Sequence, residues 1–206
     1  MDKYKNLLMF FLAFLTFGNL KAQDHLEPVE GVFNLYDFQI EYYPKVRKIL
    51  FDGLSDNPEI RYLIMPSFSG EKVLDINKEF ASGKYFINFH VAEPSVWNSI
   101  QSDNKEVKVK KIKKEISAKD IELIKTLFKK AILTVKYPDK ETNGFDGTNY
   151  YFASSNKSGT IWSPKSGSKM SKLVEIGNGI AEFSKNEKTD LDEEFVVKIK
   201  MLIEEL

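Results

Sequence analysis

Ser69-Gly70-Glu71-Lys72 places a hydroxyl and an amine three residues apart, a spacing at which lysine can take the proton of an attacking serine. Ser102-Asp103-Asn104 and Lys157-Ser158-Gly159 follow in that order. Together the three patterns have the residue types of an acyl-transfer site. That chemistry needs a setting in which Ser and Lys lie one turn apart at a helix start. Here Ser69 stands in a turn before "KVLDI", which reads as a strand. The S-x-x-K spacing also recurs at Ser102, Ser154 and Ser166, as a chain rich in both residues produces by chance.

The motif set is that of serine β-lactamases and penicillin-binding proteins, but too little sequence separates the pieces to hold their helical domain. The set is read as coincidence. Other chemistries are poorly supplied. There is no cysteine, which removes disulfides, thiolate nucleophiles and sulfur metal sites together. The histidines are His25 and His90 alone, and no carboxylate spacing suggests a zinc site, so no metal or cofactor is expected. His90 alternates with the apolar side of its strand and reads as a half-exposed packing residue. His25 lies near an expected new terminus, where order is not expected. No G-x-S-x-G marks a nucleophile elbow. Carboxylates are plentiful, so a two-carboxylate hydrolase stays open, without a pair that stands out.

The densest stretch is "NGFDGTNYYFASSNKSGTIWSP", residues 143–164. Asn143-Gly144 and Asp146-Gly147 read as turns. Tyr150 and Phe152 share one face of a strand with Tyr151 on the other, and Ser154–Gly159 reads as a hairpin loop. Ser163 with Pro164 reads as a helix N-cap and first turn. Asp146 and Trp162 are left over. A Trp ahead of a helix N-terminus, beside Lys165 and free backbone N–H groups, could line an anion or sugar site. Asp146, Tyr150, Trp162 and Lys165 are therefore the candidate ligand-binding residues. A second surface is "KEVKVKKIKKEI", residues 105–116, through Lys108, Lys110 and Lys113. An edge strand guarded by its charges is the preferred explanation of that run.

The elements that must position these residues follow from periodicity. Residues 23–40 read as an extended lead-in. A short helix then carries Val46, Ile49 and Leu50 on one face, with Pro44 in its first turn. Alternation gives strands with Ile60, Tyr62 and Ile64, with Leu74, Ile76 and Phe80, and with Tyr85, Ile87, Phe89 and Val91 on single faces. The apolar phase of 105–116 slips at Lys110-Lys111, which predicts a bulge. Ser117 with Asp120 forms a capping-box pattern for a helix bearing Ile121, Ile124, Phe128, Ile132 and Val135, which Tyr137-Pro138 stops. A further helix carries Met170, Leu173, Val174 and Ile180. A last one, over 190–206, carries Phe195, Ile199, Leu202 and Leu206 and is expected to pack on the core. The order argues for a single α+β domain over 41–185, a mostly antiparallel sheet of five to six strands with helices on one face.

The N-terminus has a basic start at Lys3 and Lys5, an 11-residue apolar run from Leu7 to Phe17, and a polar exit. These are the regions of a secretory signal peptide over residues 1–22, the run being too short to span a bilayer. Cleavage is expected near Ala22-Gln23. Removing 1–22 leaves 27 basic and 29 acidic residues, a balance that gives no reason to expect nucleic acid as a partner. The pattern "DGTNYYF…GTIWSPKSGSK…LV" resembles the C-terminal part of a group of uncharacterised bacterial exported proteins, over residues 59–181. The resemblance implies export and a shared fold, and no reaction. The expected protein is a cell-envelope domain, periplasmic or extracellular, without a membrane span once processed. It binds an envelope ligand or partner without catalysis. The alternative is a carboxylate-dependent hydrolase of envelope glycan or peptide.

Overall fold

The computed structural model describes residues 24–29, 37–102, 105–138 and 146–206. The apolar N-terminal run, Asp103-Asn104 and the Asn143-Gly144 turn lie outside them. The elements in chain order are α1 (Asp37–Leu50), β1 (Ile60–Pro66), β2 (Lys72–Lys78), β3 (Tyr85–Glu93), α2 (Val96–Gln101), β4 (Lys108–Ile116), α3 (Ala118–Leu133), β5 (Thr148–Ser154), β6 (Lys157–Trp162), α4 (Lys169–Phe183) and α5 (Glu193–Glu205). The six strands form one antiparallel sheet in the order β4-β3-β2-β1-β5-β6. The α+β class and the antiparallel sheet are as expected from the sequence.

Strand alternation decides what each face of the sheet buries. On one face Tyr62, Leu74, Ile87, Phe89 and Phe152 form a large core with α3, α4 and α5. Its aromatic centre is Tyr62, 4.9 Å from the Phe152 ring, which meets Phe128 edge-on at 5.3 Å. Helical spacing brings Ile121, Ile124 and Phe128 of α3 to this face, each with no exposed surface. The C-terminal helix joins it as expected, through Ile199 and Leu202.

The helices are not confined to that face. On the opposite one, Tyr42, Val46 and Leu50 of α1 and Val96 of α2 cover Met65, Val73 and Ala92 in a second, smaller core. This cover changes three sequence expectations. Pro44 is interior to α1 rather than in its first turn. It is exposed, as is Ile40 four residues before it, so water can take the carbonyl that proline leaves without its N–H partner. His90 is buried, because α1 ends over it. The slip in the lysine-rich strand is not a bulge either, since β4 pairs with β3 without interruption from Lys108 to Ile116. Its apolar residues change side because Ile112 and Ile116 meet the large core while Val107, just before the strand, meets the small one.

Three local expectations are also corrected. Phe80 falls beyond the end of β2 and is fully exposed. The β5–β6 hairpin turns in two residues, Ser155 (φ 56°) and Asn156, rather than through a longer loop. Ser163 caps no helix: its φ is 36° and its Oγ accepts from the Thr148 N–H at 2.9 Å, across the open end of the hairpin. The next helix starts at Lys169 with Ser168 as its cap, the Ser168 Oγ accepting from the Ser171 N–H. By contrast, the Ser117–Asp120 cap of α3 forms as expected, and Asp120 also accepts from the Leu191 N–H at 2.9 Å, tying the linker before α5 to α3.

The N-terminal segment is more than a lead-in. Glu27 exchanges two backbone hydrogen bonds with Thr160 on the outer edge of β6, at 2.7 and 2.9 Å, and Leu26 is fully buried. His25 is ordered beside it, its Nδ1 3.0 Å from the Leu26 carbonyl. The apolar side chain of the next residue, Leu26, anchors what terminal position alone would leave loose.

Candidate functional site

The loop between β1 and β2 holds the Ser-Gly-Glu-Lys sequence and builds most of the site. At its start, Ser67 is tied to Gly147 by three hydrogen bonds of 2.9–3.1 Å, two of them through the Ser67 hydroxyl. Gly70 follows because the chain passes directly against β3: a Cβ there would overlap the Ala92 carbonyl oxygen. Glu71 then turns inward and is wholly buried. Its carboxylate accepts from the Tyr42 hydroxyl at 2.7 Å, the Ser95 hydroxyl at 3.0 Å, and the N–H groups of Val96 and Trp97 at 2.7 and 3.2 Å. Burial, followed by the Glu71 charge, raises the Tyr42 phenol far above its ordinary value, so Tyr42 stays a donor. Glu71 thus fixes α1, α2 and the β1–β2 loop to one another. Its hydrogen-bonding capacity is spent on structure.

Ser69 and Lys72, on either side of this anchor, open onto a pocket of about 360 Å³ on the large-core side of the sheet. Ile64, Phe89 and Ala181 form a nearly buried apolar floor with Tyr150 half-buried beside it, while Ser69, Lys72, Thr148, Asn178 and Glu182 supply polar groups. Alternation explains the set: Ile64, Lys72, Phe89 and Tyr150 all point to one face near one end of their strands, and α4 closes the far side. Tyr150 stacks on Tyr62, the ring planes 7° apart and the centroids separated by 6.2 Å. The Tyr62 hydroxyl donates to Asn178 Oδ1 at 3.1 Å, which leaves the Asn178 amide N–H groups for other partners. Glu182 is held by Lys185 at 2.7 and 2.8 Å. Lys72 makes no ion pair among the described residues.

The Ser-Lys pair shares a pocket without forming a catalytic couple. Ser69 lies in an exposed bend, Lys72 starts a strand, and no hydrogen bond joins them. Ser102 and Lys157, the described ends of the other two patterns, do not line the pocket.

The four candidates from the dense stretch are split by the sheet. Tyr150 lines the pocket. Trp162 points to the opposite face, opposite Asn149 in the register, and its indole covers Gly147: a Cβ there would lie 2.6 Å from Trp162 Nε1. Asp146 and Lys165 are exposed and outside the pocket. With α4 starting at Lys169, Trp162 is not beside free helix N–H groups, and the anion-site rationale for Trp162 and Lys165 loses its geometry. The lysines of β4 are likewise divided. The strand is an edge strand, as read from its charges. Lys113 lies on the face opposite Lys108 and Lys110, bonded to Glu79 at 2.9 Å and set 4.3 Å over the Phe86 ring.

One further polar group lies on the small-core face. Arg61 grips the buried Asp75 with two bonds of 2.7 and 2.5 Å and places its guanidinium 4.3 Å from the Phe51 ring. Burial, partly offset by Arg61, raises the Asp75 carboxyl above its ordinary value. His90 lies diagonally across the strand pair, its Nδ1 2.7 Å from the Leu50 carbonyl, and burial lowers its imidazole. The cluster holds the chain after α1 on the sheet. Among the described residues no group of histidine and carboxylate side chains is placed to hold a metal ion, and no helix is long and apolar enough to cross a membrane.

Comparison with protein-family models, curated proteins and solved structures returns no match for this chain. Of the pocket residues, sequence reasoning singled out Tyr150 for binding and met Ser69 and Lys72 in a motif it set aside. It missed Asn178 and Glu182, which sit on a helix face and carry no local signal. Only the packing of α4 across the strands makes them neighbours of β1 and β5.

Proposed function

We propose that the protein is an exported, non-catalytic binding domain of the bacterial cell envelope whose ligand site is the pocket between α4 and strands β1, β2, β3 and β5. The observation that carries this reading is the make-up of the pocket: Ser69, Lys72, Thr148, Asn178 and Glu182 converge over a buried apolar floor of Ile64 and Phe89, in the size range of small-molecule sites. Its only carboxylate, Glu182, is already bonded to Lys185, so a pair of opposed carboxylates for glycoside hydrolysis is not assembled there. Export rests on the N-terminal pattern. It is compatible with the buried position of Leu26, which a cut near Ala22-Gln23 leaves in place.

Two measurements test the two halves. Backbone-amide NMR with a fragment set of mixed charge is expected to shift resonances of Ile64, Phe89 and Tyr150, and Ser69→Trp, which fills the mouth, is expected to abolish those shifts. Shifts confined to the Trp162 face would overturn the site. N-terminal sequencing of protein secreted by a bacterial host is expected to start at Gln23, and an intact Met1 on exported material would overturn export.

A further inference from the structure

Polar side chains surround the pocket on three sides. Ser69 and Lys72 come from the β1–β2 loop and the start of β2, Thr148 comes from β5, and Asn178 and Glu182 come from successive turns of α4. Each keeps hydrogen-bonding capacity. The Lys72 ammonium makes no ion pair among the described residues, and the Ser69 and Thr148 hydroxyls have no partner among them. Asn178 accepts from the Tyr62 hydroxyl at 3.1 Å and keeps both amide N–H donors. Glu182 takes one bond from Lys185 on each oxygen, at 2.7 and 2.8 Å, and each oxygen can accept another.

This lining turns away several kinds of ligand. A cation meets the Lys72 ammonium and an anion meets the Glu182 carboxylate, because both groups open onto the same space. An apolar ligand finds little to cover, since Phe89 and Ile64 in the floor are only 3% and 8% exposed. A small zwitterion engages the two charged groups and leaves the amide and the hydroxyls to water. The remaining match is a neutral ligand whose whole perimeter both donates and accepts. A hydroxyl does both, and a sugar ring carries hydroxyls on every side.

We infer that the pocket takes a neutral sugar unit, its hydroxyls donating to Glu182 and accepting from Lys72 and the Asn178 amide. The inference rests on the pocket being the binding site, and the experiment separates the two claims. Glucose, galactose, mannose and N-acetylglucosamine are titrated into the chain from residue 23, with binding read from amide shifts. Tetrahydropyran, a ring of the same kind without hydroxyls, and alanine, a zwitterion, are the comparison probes. At least one sugar is expected to shift the resonances of Thr148, Tyr150 and Asn178, and neither comparison probe should. Lys72→Met, Glu182→Met and Asn178→Asp each remove groups that bond the hydroxyls, and each should weaken that sugar about tenfold. Asn178→Asp keeps the acceptor for Tyr62, so the packing of α4 is preserved. Tetrahydropyran shifts as large as those from the sugars, or sugar shifts unchanged in all three variants, overturn the sugar assignment and leave the pocket standing. Pocket shifts from alanine or a charged fragment, with none from any sugar, overturn it in favour of a charged ligand. Absence of pocket shifts with every probe and with the wider fragment set overturns both claims.

Discussion

Leu26 packs against the bare backbone of Gly159: a Cβ at Gly159 would lie 2.9 Å from Leu26 Cβ and 2.7 Å from Val135 Cγ2. The segment around Leu26 therefore fills a slot that β6 keeps open by having no side chain there. Leu26→Ala should cost about 2–5 kcal/mol, as deletion of a fully buried leucine does. Gly159→Val should also destabilise, by overpacking. Chemical denaturation of chains starting at residue 23 and at residue 28 checks the segment directly. The first retains Leu26 and is the reference, and the second, which lacks it, should unfold at much lower denaturant.

Glu71 accepts four hydrogen bonds with no exposed surface. Glu71→Ala should cost about 3 kcal/mol or more, because several buried donors lose their partner together. Tyr42→Phe removes one donor and should cost about 1–2 kcal/mol. A double-mutant cycle on this pair measures the coupling. A Glu71→Ala loss no larger than that of Tyr42→Phe would contradict the anchoring role.

His90 gives the fold a pH dependence of known sign. Burial, chiefly, lowers its imidazole below the ordinary 6.5, so the unfolded chain binds the proton more tightly. Stability present above pH 6.5 is therefore lost as pH falls through the lower folded value. Asp75 contributes the opposite sign in a more acidic window, its raised carboxyl losing stability as pH rises from 3.8. The difference between wild type and His90→Gln isolates the histidine. Denaturation between about pH 5 and 7.5 should show a flatter profile in the variant; parallel profiles would refute the assignment.

Ile199 and Leu202 place α5 in the large core. Deleting residues 189–206 removes both, at about 2–5 kcal/mol each against a total stability of about 5–15 kcal/mol. The melting temperature should collapse or the transition lose cooperativity. An unchanged melting temperature would mean α5 is an appendage.

What could be read before the structure was known divides along physical lines. Period-two alternation in "KYFINFHV" named the side of β3 that meets the large core, through Ile87 and Phe89, but took the other side for half-exposed, although α1 and α2 bury His90 and Ala92 there. The same reasoning misjudged β4, where the two cores contact different ends of the strand from opposite sides. Ser117–Asp120 was legible because a cap is a local device, whereas Ser163-Pro164 imitated one while its hydroxyl served the hairpin. The dense stretch 143–164 looked like a single site because its residues are adjacent in sequence. Strand alternation sends Tyr150 and Trp162 to opposite faces, and the pocket is completed by residues of α4 that no local pattern could connect to it.

The strand order sets a timetable for assembly. Strands β1 to β4 lie in chain order and can pair as they emerge, but the other edge of β1 waits for β5. That partner begins about eighty residues after β1 ends, so β1 stays half-paired until that length of chain has followed it. Until then "IRYLIMP" offers an unpaired, mostly apolar edge to any neighbouring chain. The moment of greatest exposure to misassembly comes between the closing of the β1–β4 sheet and the arrival of β5.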